Sequence, residues 1–257
     1  MAFPFDHKNH EVYPNTFLEN TAVTLFASDW NGVFSGNFDD LYPKFVERFF
    51  RLKKSVDQFK KDLEMSVTAP DDGLSYIFNP NKARLSVDRK KYVSFVDNIM
   101  TELFPLKDFM YRVMERSVIE NVQVRKLNIL PIEAEDDNEI VENADNVYAF
   151  LFKKELIEYV KDQPIPDSAP WILSFRRANV DNGNVDISIR IGISKVRNRQ
   201  KHYNVILDSS ARCINHSPIE EGAVDGLLLN LNDCLFDAFH WCVKSEIVEM
   251  MRKENEK

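Results

Sequence analysis

The chain has 257 residues, of which 44% are hydrophobic and 12% aromatic, with 19 phenylalanines. That is enough apolar surface for one large core or two small ones, and it excludes an intrinsically disordered chain. The formal charge of −8 sets a field that repels phosphate backbones, so any contact with nucleic acid needs a local basic patch.

Residues 1–20, with prolines, asparagines and two histidines, read as an extended N-terminal arm. Their opening, MAFPFDHKNHEVYPN, has no apolar segment behind a basic start, so no secretory signal is expected. "TAVTLFASDW" (21–30) reads as a strand with Val23 and Leu25 on one face. Leu41, Phe45, Phe49, Leu52, Val56, Phe59 and Leu63 then step by three or four, which predicts one helix from Asp39 to Met65. Pro43 falls in its opening turn.

Three strands follow, "MSVTAP", "LSYIFN" and "ARLSVDRKKYVSF", separated by the turn-forming "PDDG" and "NPNK". "VDNIMTELFPLKDFMYRVMER" is helical in period, and Pro105 is expected to kink or divide it. "SVIENVQVRKLNILPIE" returns to strand character, and residues 133–145 form an acidic insertion. "NVYAFLFKKELIEYVK" reads as a helix and "WILSFRRANV" as a strand. The pair of strands inside "VDISIRIGISKVRNRQKHYNVILD" comes next. A helix from Ala223 to Lys253 closes the chain on a seam of Leu227, Leu231, Cys234, Ala238, Trp241, Ser245 and Val248.

The order strand, helix, three strands, helix thus occurs twice, over residues 21–117 and 118–257. The expected fold is α+β: two pseudo-repeated halves with antiparallel sheet backed by long amphipathic helices. The halves are either joined edge to edge or split as two domains at the acidic insertion.

The C-terminal region carries a resemblance. "ISIRIGI", a partner strand ending in "VILD", and a helix containing "LNDCLFDAFHWCV" resemble a sporadically distributed family of uncharacterised bacterial proteins of about this length. His240 follows Phe236 and Phe239 where that family has a Leu-x-x-x-His helix pattern. "VQVRKLNILPI" is similar to its central strand, with Asn128 retained and Leu127 where an aromatic residue is usual. The similarity covers the last two thirds of the chain. It implies a bacterial cytoplasmic setting and an accessory or defence locus, and it carries over no catalytic residue.

The candidate contact residues are Lys195, Arg197, Arg199, Lys201 and His202, gathered at the tip between two strands. They suit phosphate or an acidic partner, although tips are also charged simply because their backbone faces water. Arg176, Arg177 and Arg190 extend this candidate. Cys213 with His216 and His240 with Cys242 raise a zinc reading, but residues two apart on a helix diverge by roughly 200°. Asp186 and Asp208, on adjoining strands, are the only candidate metal ligands of a nuclease that the sequence pairs. No phosphate-cradling glycine loop or nucleophile elbow occurs in a chain with seven glycines.

Three cysteines make no disulfide framework and suit a reducing compartment. No apolar run reaches the ~18 residues of a membrane span. The expectation is therefore a non-catalytic protein-binding or adaptor protein of the bacterial cytoplasm, without metal or cofactor, acting on a protein partner or a second copy. A nucleic-acid binder using residues 195–201 and a metal-dependent nuclease are the alternatives.

Overall fold

The computed structural model describes residues 13, 17–27, 38–49, 55–59, 64–69, 72–89, 92–113, 118–133, 148, 151–161, 171–180, 183–196, 201–215 and 217–252. Their strands are β1 (Leu18–Ala27), β2 (Ser55–Phe59), β3 (Glu64–Ala69), β4 (Leu74–Asn79), β5 (Lys82–Asp88), β6 (Ile119–Glu133), β7 (Trp171–Val180), β8 (Gly183–Lys195) and β9 (His202–Asn215). All nine join one antiparallel sheet in the order β2-β3-β4-β5-β1-β6-β9-β8-β7. The fold is α+β.

The pairing of β1 with β6, from Leu18↔Asn128 to Ala27↔Ile119, makes the sheet continuous across the two segments. Outward from this seam, β5 to β2 form a meander on one side and β9 to β7 on the other.

Side-chain alternation sorts the sheet into two unlike faces. Val23, Leu25, Leu85, Val122, Val124, Val205, Leu207, Val185, Ile187 and Ile189 all face a buried layer. The helices α1 (Phe38–Phe49), α2 (Thr101–Asp108), α3 (Lys154–Lys161), α4 (Glu221–Cys242) and α5 (Ser245–Arg252) cover that layer. Phe45 of α1, Phe78 of β4 and Phe109 beyond α2 meet edge to face with centroids 4.9–5.7 Å apart, a favoured aromatic geometry. Tyr159, Phe175 and Trp241 form a second aromatic group at the other end.

Several boundaries differ from the sequence reading. β1 starts at Leu18, inside the segment read as an arm. The helix expected over 39–65 ends at Phe49, and four strands follow it rather than three. Val56 and Phe59 keep helical spacing, but residues 55–59 pair with the exposed edge of β3, from Ser55↔Thr68 to Phe59↔Glu64. A ladder offered by the sheet outweighs a local helical preference of a few tenths of a kcal/mol per residue. Pro43 lies six residues into α1, past its first turn.

The strand begun at Ala83 stops at Asp88, and Phe95 already belongs to the next helical segment. Pro105 does not divide that segment; it is buried within α2. The departures from α geometry lie to either side, as π turns at Phe95–Met100 and Phe109–Val113.

The two remaining helices are each interrupted, and the interruptions meet. Phe152 and Val243 form an isolated antiparallel bridge. The Lys153 amide donates to the Cys242 carbonyl at 2.9 Å and the Lys244 amide to the Leu151 carbonyl at 3.0 Å. Val243 is extended (φ −89°, ψ 151°), so the closing segment is α4 and α5 rather than one helix. Lys153 Nζ also donates to the His240 carbonyl at 2.7 Å, satisfying an end-of-helix acceptor and placing a cation at the negative end of α4.

Candidate functional site

Among the described residues no helix lies on the second face of the sheet. Its composition follows from the register of the ladders. One row crosses all nine strands through Ser55, Thr68, Ser75, Ser86, Ala22, Arg125, Ser210, Ser188 and Ser174. From β3 to β7, six of the eight positions are serine or threonine, so the row is a low trough in which Arg125 is the single long side chain.

The flanking rows carry the charged residues of this face, alongside Leu127 and Ile172. On one side Arg84, Thr24, Gln123, Arg212, Asp186 and Arg176 stand opposite one another, and on the other Asp208 stands opposite Arg190. Neighbouring strands are about 4.8 Å apart, so the seven intervals from β3 to β7 make a trough about 34 Å long.

At the centre of the sheet the trough deepens into a concavity of about 330 Å³. Lys82, Arg84, Arg125 and Arg190 line it with a single carboxylate, Asp208, over Thr24, Gln123, Ser188 and Ser210. Asp208 is committed to one of the four cations. Arg125 Nε donates to its Oδ1 at 2.7 Å and Nη2 to its Oδ2 at 2.6 Å, a bidentate fork. That hydrogen bond holds the Arg125 guanidinium more firmly protonated than usual.

Arg84 is shifted the other way. Burial lowers its pKa, the neighbouring Arg125 charge lowers it further, and Asp208 only partly compensates. The Nε atoms of Arg84 and Arg212 are buried without a hydrogen-bond partner among the described residues. Arg212 instead lays its guanidinium 4.4 Å from the Phe26 ring centroid, a cation–π contact. A concave site with uncompensated cations and unspent donors is electrostatically prepared for an anion.

The residues singled out in the sequence fall around this site unevenly. Arg190 lines the concavity. Arg176, expected as an extension of the basic tip, forks onto Asp186 at 2.7 and 3.1 Å. Asp186 and Asp208 do share the open face, but each is held by an arginine, Arg176 and Arg125 respectively. Lys195 ends β8 opposite Tyr203, and His202 opens β9 opposite Glu133. Lys201 is exposed at the turn with φ +61°. Arg197, Arg199, Arg177's side chain and the acidic stretch 134–145 lie outside the described residues, as does His216.

Cys213, Cys234 and Cys242 are all buried, and burial pushes the Cys242 thiol up, away from thiolate formation. The His240 ring is bonded to Tyr13 Oη at 2.5 Å and to the Phe236 carbonyl at 2.9 Å. No group of three or more His, Cys, Asp or Glu converges among the described residues.

The concavity's other residues, Lys82, Arg84, Arg125 and Gln123, were not singled out from sequence. They come from strands far apart in the chain, and only register brings them together. No described helix is long and apolar enough to cross a membrane. The chain matches no family model, no curated protein and no solved structure.

Proposed function

We propose that the protein is a non-catalytic adaptor that receives an acidic, extended segment of a partner protein along the open face of its sheet. The observation that carries this reading is the central concavity, where four cations share one carboxylate in a chain of net charge −8. A linear trough of hydroxyls offers hydrogen bonds along its length, and at about 3.3 Å per residue it accommodates roughly ten extended residues. Arginine forks suit carboxylates.

Protein is favoured over nucleic acid on two grounds. The exposed face offers Phe26 as its aromatic residue in the concavity, and Arg212 already covers it, whereas single-strand binders present stacking platforms. A long polyanion also meets the negative charge of the rest of the molecule. We further infer that the halves 21–117 and 118–257 are pseudo-repeats, each building outward from its own first strand, a reading supported by the strand order on either side of the β1–β6 seam.

The test is fluorescence anisotropy with a labelled ten-residue peptide alternating Glu and Ser, alongside a twelve-nucleotide single-stranded DNA. The peptide should bind, weaken steeply with salt, and lose at least tenfold in affinity in the Arg84→Gln/Arg190→Gln double variant. Tighter binding of the DNA would transfer the face to nucleic acid. Loss of binding in Lys195→Gln/Lys201→Gln with the double variant intact would move the site to the hairpin tip. No peptide binding at low salt refutes the proposal.

A further inference from the structure

The helix-covered face of the sheet is apolar except at one place. Inward positions of β6 run Val122, Val124, Lys126, Asn128, Leu130, and those of β9 run Val205, Leu207, Ser209, Ala211, Cys213. Lys126 stands opposite Ser209 on one side and Thr21 on the other. These polar residues interrupt a face that elsewhere excludes them, and above them lies a cavity of about 480 Å³ reaching to α4 and α5.

Its walls are apolar, with Phe95, Phe236, Phe239 and Met251 among them. Its rim is apolar as well. Val93, Val96 and Leu229 line it and rank among the exposed large hydrophobic residues, at 65%, 59% and 36% exposure. A water-facing rim of this kind is what an apolar ligand entering the cavity would cover.

The floor is polar where the walls are not. Asn128 is 6% exposed and lines the cavity beside Lys126. Across the cavity on α4, Asn232 Oδ1, an acceptor, is buried without a partner among the described residues. Lys126 Nζ lies 6.0 Å from the Phe95 ring centroid. Four titratable groups line the cavity: Tyr13, Tyr92, Lys126 and Asp233. Tyr13 is engaged with His240, and burial pushes Tyr92 upward so that it stays neutral. Asp233 attracts the Lys126 ammonium, yet burial still lowers the lysine to about 8. Burial thus leaves the ammonium poorly solvated on the cavity floor.

We propose that this cavity binds a small amphipathic monocarboxylate, its carboxylate on Lys126 and Asn128 and its alkyl body against the phenylalanine walls. The site is independent of the open face, and neither reading depends on the other.

Isothermal titration calorimetry with octanoate, decanoate, decanol and decylamine tests it on the full chain. Decanoate should bind about fifteenfold more tightly than octanoate, because two more methylenes leave water. Lys126→Met should weaken decanoate at least tenfold while leaving decanol unchanged. In the wild type, decanoate affinity should fall about tenfold between pH 7 and 9 as Lys126 loses its proton. In Lys126→Met that dependence should vanish, which separates a charge contact from a general loss of fold. Decylamine binding as tightly as decanoate, equal affinity for the two acids, an indifferent Lys126→Met, or no binding of decanoate would each overturn the proposal.

Discussion

Lys126→Met should stabilise the protein near neutral pH, which is an unusual expectation for a change inside the fold. Burial moves the ammonium from its ordinary 10.5 to about 8, which corresponds to about 3 kcal/mol of penalty on the charged form. Lys126 is only half-buried as a residue, and methionine forfeits the attraction to Asp233, so a net gain of about 1–3 kcal/mol is expected. Below pH 8 the lysine is protonated in both folded and unfolded chains, and the whole penalty is present. Between pH 8 and 10.5 the unfolded chain holds the extra proton, so wild-type stability climbs with pH; above 10.5 both states are neutral and the penalty is gone. The advantage of Lys126→Met should therefore be largest at pH 7 and shrink toward zero by pH 10.5. Urea titrations followed by circular dichroism at pH 7, 8.5, 9.5 and 10.5 measure it, and at pH 7 the melting temperature should rise by roughly 2–4 °C per kcal/mol. A variant less stable than wild type at pH 7, or a difference that does not change with pH, would show that the ammonium is not held in a poorly solvating floor.

Asp208→Asn removes the only carboxylate of the open-face concavity. Because its partner Arg125 is 45% exposed, the stability loss should stay near about 1 kcal/mol, while the acidic peptide should bind more tightly than to wild type; weaker peptide binding would contradict the proposed role of that face. Lys201→Gly relieves a non-glycine residue at φ +61° and should stabilise by about 0.5–1 kcal/mol in the same urea assay, without changing peptide affinity. Phe78→Ala empties the centre of the edge-to-face trio with Phe45 and Phe109 and should cost about 3–5 kcal/mol, read as a fall in urea midpoint at constant slope.

The strands that carry strong alternation were legible to the residue. "LSYIFN" is β4 and "WILSFRRANV" is β7, because one face of each is buried and the other wet. Helix ends were less legible. Val56 and Phe59 fit both a helical stripe and an edge strand, and the choice depends on the partner ladder of β3, which lies outside the local sequence. The break between α4 and α5 is likewise invisible in the seam Leu231–Cys234–Ala238, since it is fixed by Phe152, some ninety residues earlier. The cavity floor was within reach. Once Val122 and Val124 are taken as inward, period two also turns Lys126 and Asn128 inward, and a lysine on a buried strand face is a signal. The serine row was beyond reach, because it exists only when nine registers are known together.

Both candidate sites are built from the same short stretches, back to back through one sheet. Arg125 and Lys126 are consecutive on β6, as are Asp208 and Ser209 on β9. Alternation sends one of each pair to the cationic trough and its neighbour to the buried cavity. A slip of one residue between β6 and β1 would therefore put the Arg125 guanidinium beneath the helices and strip the floor of Lys126. Such a slip would also turn Val122 and Val124 toward water, at about 1.5–3 kcal/mol for each side chain. The thirteen paired positions of β6 with β9, from Asn121↔Ile214 to Glu133↔His202, multiply that discrimination along the ladder. The apolar alternation that makes the core is thus also what assigns each charged residue to its face, so stability and site geometry are specified by the same register.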